Sequence, residues 1–463
     1  MYNFAVEKSN KLKMSEDIRL KKGLNIKLTG EAEQVYSTVE PVTTYELKPT
    51  DFYSLTPKLV IKVGDNVKAG TPVFIDKYNE KIKFCSPVSG EITDVVRGEK
   101  RKILKVVITA DKDISYEDLS SATANNMSRE EIIDKMCDNG VWPFIRQKPY
   151  DIIANPTDIP KSIFISAFNS APLTIDNDFA LYGKEDLFQK GLNIVTKLTN
   201  GITHLNIDGY SNPSKVFTDA KGVQLNKVSG PHPAGNVGVQ IHHIDPIDKD
   251  DIIWYLSPQD VLTIATLFKE GRYDASRIIA IAGSQIKKPK YYRSIAGSTI
   301  SNFLKDNIKE GNSRIISGDV LSGTKIDERG SICFYDYQIT VIPEGDKSEF
   351  LGWISPGLDK FSNSRSYFSW LTPTKKYSLN SNMNGEERAY VFSGEYEKVL
   401  PMDIYPTHLI KSIMIGDIEM MENLGIYEVS PEDFALCEFV CTSKVEVQKI
   451  IREGLDLIKK ENS

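Results

Sequence analysis

The segment KLVIKVGDNVKAGTPVF (residues 58–74), followed by FCSPVSGEI (84–92), constrains the fold more than any other part of the chain. Leu59, Ile61 and Val63 alternate with Lys and Val, the period of two expected of a half-buried strand. Gly64-Asp65 supplies the positive φ of a tight turn, and Ala69-Gly70-Thr71-Pro72 closes a second one. These strands and turns predict two small sheets packed as a barrel-like sandwich over residues 14–111, behind a polar extension at 1–13.

The order of these turns, with Ser86-Pro87 and Ser89-Gly90 after them, resembles the lipoyl and biotinyl carrier domains. That resemblance implies a barrel-sandwich hybrid fold and directs attention to the hairpin between its halves, where carriers hold a modified Lys. Lys77 stands there, so a carrier module modified on Lys77 is an alternative function. Against it, Lys77 lies further from the Ser-Pro turn than a carrier lysine does, and Lys81 and Lys83 crowd the same loop. A solvated lysine on a charged turn is the plainer reading.

From about residue 112 the pattern changes to alternating β and α. SIFISA (162–167) fits a buried parallel strand, and residues 184–198 have helical spacing at Leu187, Gly191, Ile194 and Leu198. HLNI (204–207) reads as the next strand. This βαβ rhythm predicts a Rossmann-like α/β domain over 112–257. No G-x-G-x-x-G or Walker loop follows any of its strands, so the usual backbone cradle for a pyrophosphate is missing.

A third unit is expected over 258–345. Ser257-Pro258-Gln259-Asp260 starts a helix with Val261, Ile264, Ala265 and Phe268 on one face, and RIIAIA (277–282) is a strand. The stretch after it, through a Lys-Pro turn to a short helix, resembles the β-grasp domain of the soluble-ligand-binding type. The C-terminal part (346–463), which contains a polar linker near 379–387, is expected to be mainly helical. Ser430-Pro431-Glu432-Asp433 caps one helix, which would place Phe434, Cys437 and Cys441 on one face. Val447, Ile450, Ile451 and Ile458 form a stripe on the last helix.

The densest unusual segment is GPHPAGNVG (230–238), followed by Gln240-Ile241-His242-His243, which holds three of the five histidines. Glycines and prolines stiffen this loop at the end of the α/β domain where such sheets usually place their sites. His232, Pro233, Gly235, His242 and His243 are therefore candidates for a partner-facing surface. The competing reading is a packed domain junction whose imidazoles satisfy buried carbonyls. A zinc site is not expected, because His242 and His243 are adjacent and no Cys or acid stands at a ligand offset. Five scattered cysteines do not make the four-thiolate set of an iron–sulfur cluster, and they suit a reducing compartment.

Composition closes off further classes. The 463 residues carry 57 Lys and Arg against 63 Asp and Glu, a formal net charge of −6, which leaves no cationic field for nucleic acid. No run of apolar residues reaches the ~18 needed to span a membrane, and the first residues lack the apolar core of a signal peptide. A cytoplasmic location is expected, with Met1 or Met14 as the start.

Several long motifs then converge on one family. IRLKKGLNIKLTGEA (18–32), KVGDNVKAGTPVFIDK (62–77), RGEKR (97–101), GPHPAGNVG (230–238), ISGDVLSG (316–323) and SPEDFALCEFVC (430–441) are similar to those of the A-type subunits of the bacterial sodium-translocating NADH:quinone oxidoreductases, over about 18–460. The resemblance implies a peripheral, cofactor-free subunit with no catalytic residue of its own, held on the inner face of the cell membrane by five other subunits. It also implies FMN, FAD, riboflavin and iron–sulfur in those partners, a complex that reduces quinone with NADH while exporting Na⁺, and a scaffolding role that extends to the quinone side, which would make the loop residues His232, Pro233, Gly235, His242 and His243 quinone-facing. A more distant similarity runs to the flavin-binding subunit of respiratory NADH dehydrogenases, whose glycine-rich flavin loop and cluster cysteines this chain lacks.

Overall fold

A computed structural model describes residues 16–122, 126–346, 349–352 and 354–462. The polar extension expected at 1–13 lies outside them. The first two strands, β1 (Asp17–Arg19) and β2 (Glu33–Ser37), pass into sheets completed much later in the chain. The sandwich expected over 14–111 therefore builds its own sheets only from β3 (Thr44–Leu47) onward. It also contains β4 (Pro57–Leu59), β5 (Asn66–Val67), β6 (Pro72–Asp76), β7 (Lys83–Cys85), β8 (Gly90–Arg97) and β9 (Ile103–Ala110). These form a four-stranded sheet, β3-β9-β8-β5, and a three-stranded sheet, β4-β6-β7. Between them Phe74 stacks on Phe84 at 4.6 Å, and Phe52 meets Phe84 edge-on at 4.7 Å. Gly64 and Gly70 take the expected positive φ, 92° and 102°. The predicted strand through Val63 is cut short at Leu59, because Lys62 and Asp65 close a turn on each other and leave Val63 exposed.

The next unit is a seven-stranded sheet. It uses β10 (Arg146–Lys148), β11 (Ile152–Ile153), β12 (Ser162–Ser166), β13 (Ile202–Asp208), β14 (Gln224–Ser229) and β15 (Ile253–Leu256) in the order β1-β14-β13-β12-β15-β10-β11. The first five strands of that order run parallel, β10 runs antiparallel to β15, and β11 antiparallel to β10. Both faces are buried, as the apolar runs predict. Ile163, Ile165, Trp254 and Leu256 enter one core with the helices Glu185–Val195 and Pro258–Glu270. Their strand neighbours Phe164, Ile253 and Tyr255 enter a second core with the helix Val237–Ile244 and the C-terminal helices. Pro258–Glu270 has the expected Ser257/Asp260 capping box, but it packs on Glu185–Val195, where Gly191 lies against Val261. This helix thus belongs to the α/β layer and not to the unit after it.

A six-stranded mixed sheet follows, made by β16 (Ser276–Ala282), β17 (Lys290–Ile295), β18 (Ser313–Ser317), β19 (Thr324–Ile326) and β20 (Gln338–Pro343), in the order β19-β18-β20-β16-β17-β2. From residue 344 to 395 the described chain forms neither strand nor α-helix, only a 3-10 turn at Phe368–Leu371. Helices then resume, with Pro406–Ile415 and Val447–Glu461 the longest. One helical expectation fails here. Ser430 caps a 3-10 turn, Pro431–Phe434, and the α-helix runs only from Ala435 to Val440. Cys441 is its C-cap, so Cys437 and Cys441 do not share a helical face. Both are buried, and Tyr396 donates to the Cys441 sulfur at 2.9 Å.

Candidate functional site

In a parallel sheet whose strand order reverses, a ligand crevice opens beyond the carboxyl ends of the strands flanking the reversal, here β12 and β15. In this chain the crevice is filled by its own residues. The loop leaving β12 is bonded to Gln338, whose Oε1 accepts from Ile175 N at 3.0 Å. The helix starting after β15 is bonded to Tyr337, whose hydroxyl donates to the Asp260 carboxylate. Tyr337, immediately before β20, and Gln338, its first residue, thus close the crevice from both sides. Asp260 is buried, and desolvation holds its carboxyl above the usual range against the opposing pull of Tyr337 and Arg277.

The glycine-rich loop leaves the neighbouring strand β14 and packs onto the loop leaving β12. Ser170 Oγ accepts from Gly235 N at 2.7 Å, which leaves its hydroxyl proton for Nδ1 of His232 at 3.1 Å. The His232 backbone accepts from Leu24 N and donates to Asn25 Oδ1, so the N-terminal segment clamps the same turn. His232 is only 3% exposed, and desolvation pushes its pKa down to about 4 against the attraction of Asp319 and Asp433. The ring is neutral at physiological pH. Gly235 permits the close approach, because a Cβ there would overlap the Asn169–Ser170 backbone. Pro233 is an interior member of the same turn.

Further along the same segment, the adjacent histidines tie the helix Val237–Ile244 to the C-terminal helices. Nε2 of His242 accepts from Asp403 N at 2.9 Å, so Nδ1 carries the proton and donates to Glu428 Oε2 at 2.7 Å. His243 Nε2 donates to the carbonyl of Pro401 at 2.7 Å, and desolvation lowers its pKa. The structure therefore brings His232, Pro233 and Gly235 to one end of the helix and His242 and His243 to the other. It does not bring all five into one pocket.

The loop also covers a fully buried ion pair that the sequence did not reveal. Lys148 Nζ lies 2.9 Å from Asp433 Oδ2, with the two side chains 1% and 0% exposed. Asp433 also accepts from the amide and hydroxyl of Ser430. A side chain at Gly238 would overlap both members of the pair. Beside it Arg146 lies between the rings of Tyr255 and Tyr335, at 4.6 and 4.5 Å, with Asp151 at 4.0 Å. Glu432 reaches the surface at the rim of this region. Desolvation by the surrounding walls, followed by the negative charge of Asp433, pushes its carboxyl up to about 7, with Arg146 opposing. Asp336, crowded near Asp51 and Asp319, is pushed up to about 6 chiefly by desolvation. The Ser430–Asp433 capping box was legible in the sequence. Its second use, as the partner of a lysine 285 positions away, has no local signal.

Lys77 is exposed just past β6. Its amide donates to Thr56 O at 2.8 Å and its ammonium lies 5.8 Å from the Tyr78 ring centre. Lys81 and Lys83 reach Asp134 and Asp138 of the helix Arg129–Asp138, which pins this hairpin to the body. Among the described residues no helix is long and apolar enough to cross a membrane, and no group of three or more His, Cys, Asp or Glu side chains is placed to hold a metal ion.

Comparison with known proteins gives one consistent answer. Residues 18–111 match the family described as NqrA N-terminal barrel-sandwich hybrid domain, 127–273 the NqrA second alpha/beta domain, and 278–328 the NQRA C-terminal domain. The A-type subunit of the Na(+)-translocating NADH-quinone reductase of Photorhabdus laumondii is 35% identical over 447 residues, covering 96% of this chain and 100% of that protein. Those of Rhodopirellula baltica and Hahella chejuensis are each 37% identical over 96% of this chain, covering 98% and 100% of their own lengths. These relatives do not support the carrier reading of Lys77.

Proposed function

Because this chain belongs to the NqrA family, the A-type subunits of Na⁺-translocating NADH-quinone reductases, we propose that it is the peripheral, cofactor-free scaffolding subunit of such a complex. That complex reduces quinone with NADH and exports Na⁺. Similarity along essentially the whole length of both chains carries this reading. The closed crevice supports it: with Tyr337 and Gln338 bonded across the switch point, and no glycine-rich phosphate loop, the α/β sheet does not fit a dinucleotide.

The parallel part of the large sheet has a Rossmann-like order, with the reversal between β12 and β15, and the six-stranded sheet is read as the β-grasp unit of the soluble-ligand-binding type. FMN, FAD, riboflavin and iron–sulfur are assigned to the partner subunits, five in number, and the chain to the cytoplasmic side. The loop from Gly230 to His243 is read as a joint. Its hydrogen bonds run to the N-terminal segment, to the loop after β12 and to the C-terminal helices, which favours packing over an open quinone-facing surface.

Deletion of the gene, followed by measurement of Na⁺-stimulated NADH:quinone activity in membranes, tests the proposal. Loss of that activity, restored by the gene in trans, is expected, together with a featureless visible spectrum of the purified chain. Unchanged Na⁺-dependent turnover in the deletion strain would overturn it.

A further inference from the structure

The excursion over residues 350–376 concentrates open apolar side chains as no other short segment of the described residues does. Phe350 is 92% exposed, and Ile354, Leu358, Phe368, Trp370 and Leu371 are each half exposed or more. Isolated cases are ordinary, but a concentration in one short segment is not. The excursion is also a built object. Phe368 N donates to Pro356 O at 2.9 Å, Lys375 Nζ reaches Leu358 O at 3.0 Å, and a Cβ on Gly357 would overlap the Tyr367 ring. These contacts fold the two arms together. At its root the buried Tyr377 exchanges backbone hydrogen bonds with Lys27 and Thr29 and packs edge-on against Phe361 at 5.8 Å.

Charge decides what covers it. The excursion carries four cations and one acid, yet Lys360 pairs with Glu349, Lys375 with Asp359 at 2.5 Å, and Lys376 with Glu31 at 2.9 Å. Arg365 lies over the Trp370 ring at 6.0 Å. The surface is nearly neutral, so it lacks the cluster of unmatched cations that draws a segment onto anionic lipid headgroups. Residues 1–15 of this chain, with three lysines against one acid, carry a net charge that such a face cannot match. An apolar, uncharged protein surface does match it.

Building on the function proposed above, we propose that the exposed apolar side chains of residues 350–352 and 354–376 are the docking surface for an apolar face of a membrane-embedded partner subunit. The test uses the tagged full-length chain in its native membranes. The double variant Phe350→Asp/Leu371→Asp should lower the amount of chain retained on washed membranes about tenfold, as expected when central apolar anchors of an interface are removed. Its melting temperature in isolation should not change, because both side chains are exposed. A photoreactive phenylalanine analogue at position 371 should cross-link to an integral membrane polypeptide other than this chain. Full retention of the double variant, or cross-links only to lipid or to a second copy of this chain, would overturn the docking surface. Failure of the unmodified chain itself to co-purify with membrane partners would overturn the parent proposal and the docking surface together.

Discussion

The carboxyl end of the large sheet and the excursion over 350–376 treat the same problem in opposite ways. At the carboxyl end of the sheet Tyr337 and Gln338 bond across to Asp260 and Ile175, and the glycine loop beside them covers the buried Lys148–Asp433 pair. On the excursion, large apolar side chains stand open while three of the four cations among them are ion-paired. The contrast teaches that one end of the sheet is bonded shut by the chain's own side chains, while its most open apolar side chains stand on a segment without regular secondary structure.

The contrast breaks most visibly at the buried pair. Lys148→Met leaves the Asp433 carboxylate buried without its cation and should cost about 3–5 kcal/mol in urea unfolding. Adding Asp433→Asn should recover part of that loss, whereas an unchanged midpoint in Lys148→Met would mean that the joint is not closed. Acid is the next lever. His232 is buried neutral, with a pKa lowered from 6.5 to about 4. Its contribution is present above pH 6.5, where the unfolded chain is also neutral, and is lost as pH falls toward 4, because the unfolded state then binds a proton that the native state refuses. The loss amounts to about 3 kcal/mol by the linkage relation, and His232→Asn should flatten that limb of the stability–pH curve.

The smallest effect sharpens the comparison. Tyr337→Phe removes one hydrogen bond to Asp260 and should lower stability by about 1–2 kcal/mol. It should leave membrane retention unchanged, since Tyr337 belongs to the closed end. A loss of retention with no loss of stability would invert the roles assigned to the two regions.

What could be read in advance followed local physics. Gly64 and Gly70 announced their turns, and Ser257 and Asp260 their capping box. The apolar runs at 162–167 and 204–207 announced buried parallel strands, because each signal is set by residues a few positions apart. The failures were non-local. Nothing near residue 17 says that β1 will pair with residues 227–229, and nothing near Asp433 names Lys148. Cys437 and Cys441 misled because helical spacing was extended one residue beyond the point where the helix stops. For the site, His232, His242 and His243 were found by their density, but the sequence could not tell an open surface from the carbonyl, carboxylate and hydroxyl partners that occupy them.

The early strands carry a consequence for synthesis. Ile18 is registered against Val228 and Tyr36 against Tyr291, so both segments leave the ribosome long before their partners exist. At roughly 5–20 residues per second, the stretch of about 210 residues between Ile18 and Val228 takes about 10–40 s to be made. Throughout that interval the nascent amino end can be bound by chaperones or neighbouring nascent chains, and the large sheet gains its β1 edge only after most of the α/β layer has emerged. A fusion placed directly before β1 would ride on an edge that stays unpaired until residues 227–229 emerge, which makes the carboxyl end, after the final helix, the safer place for a tag.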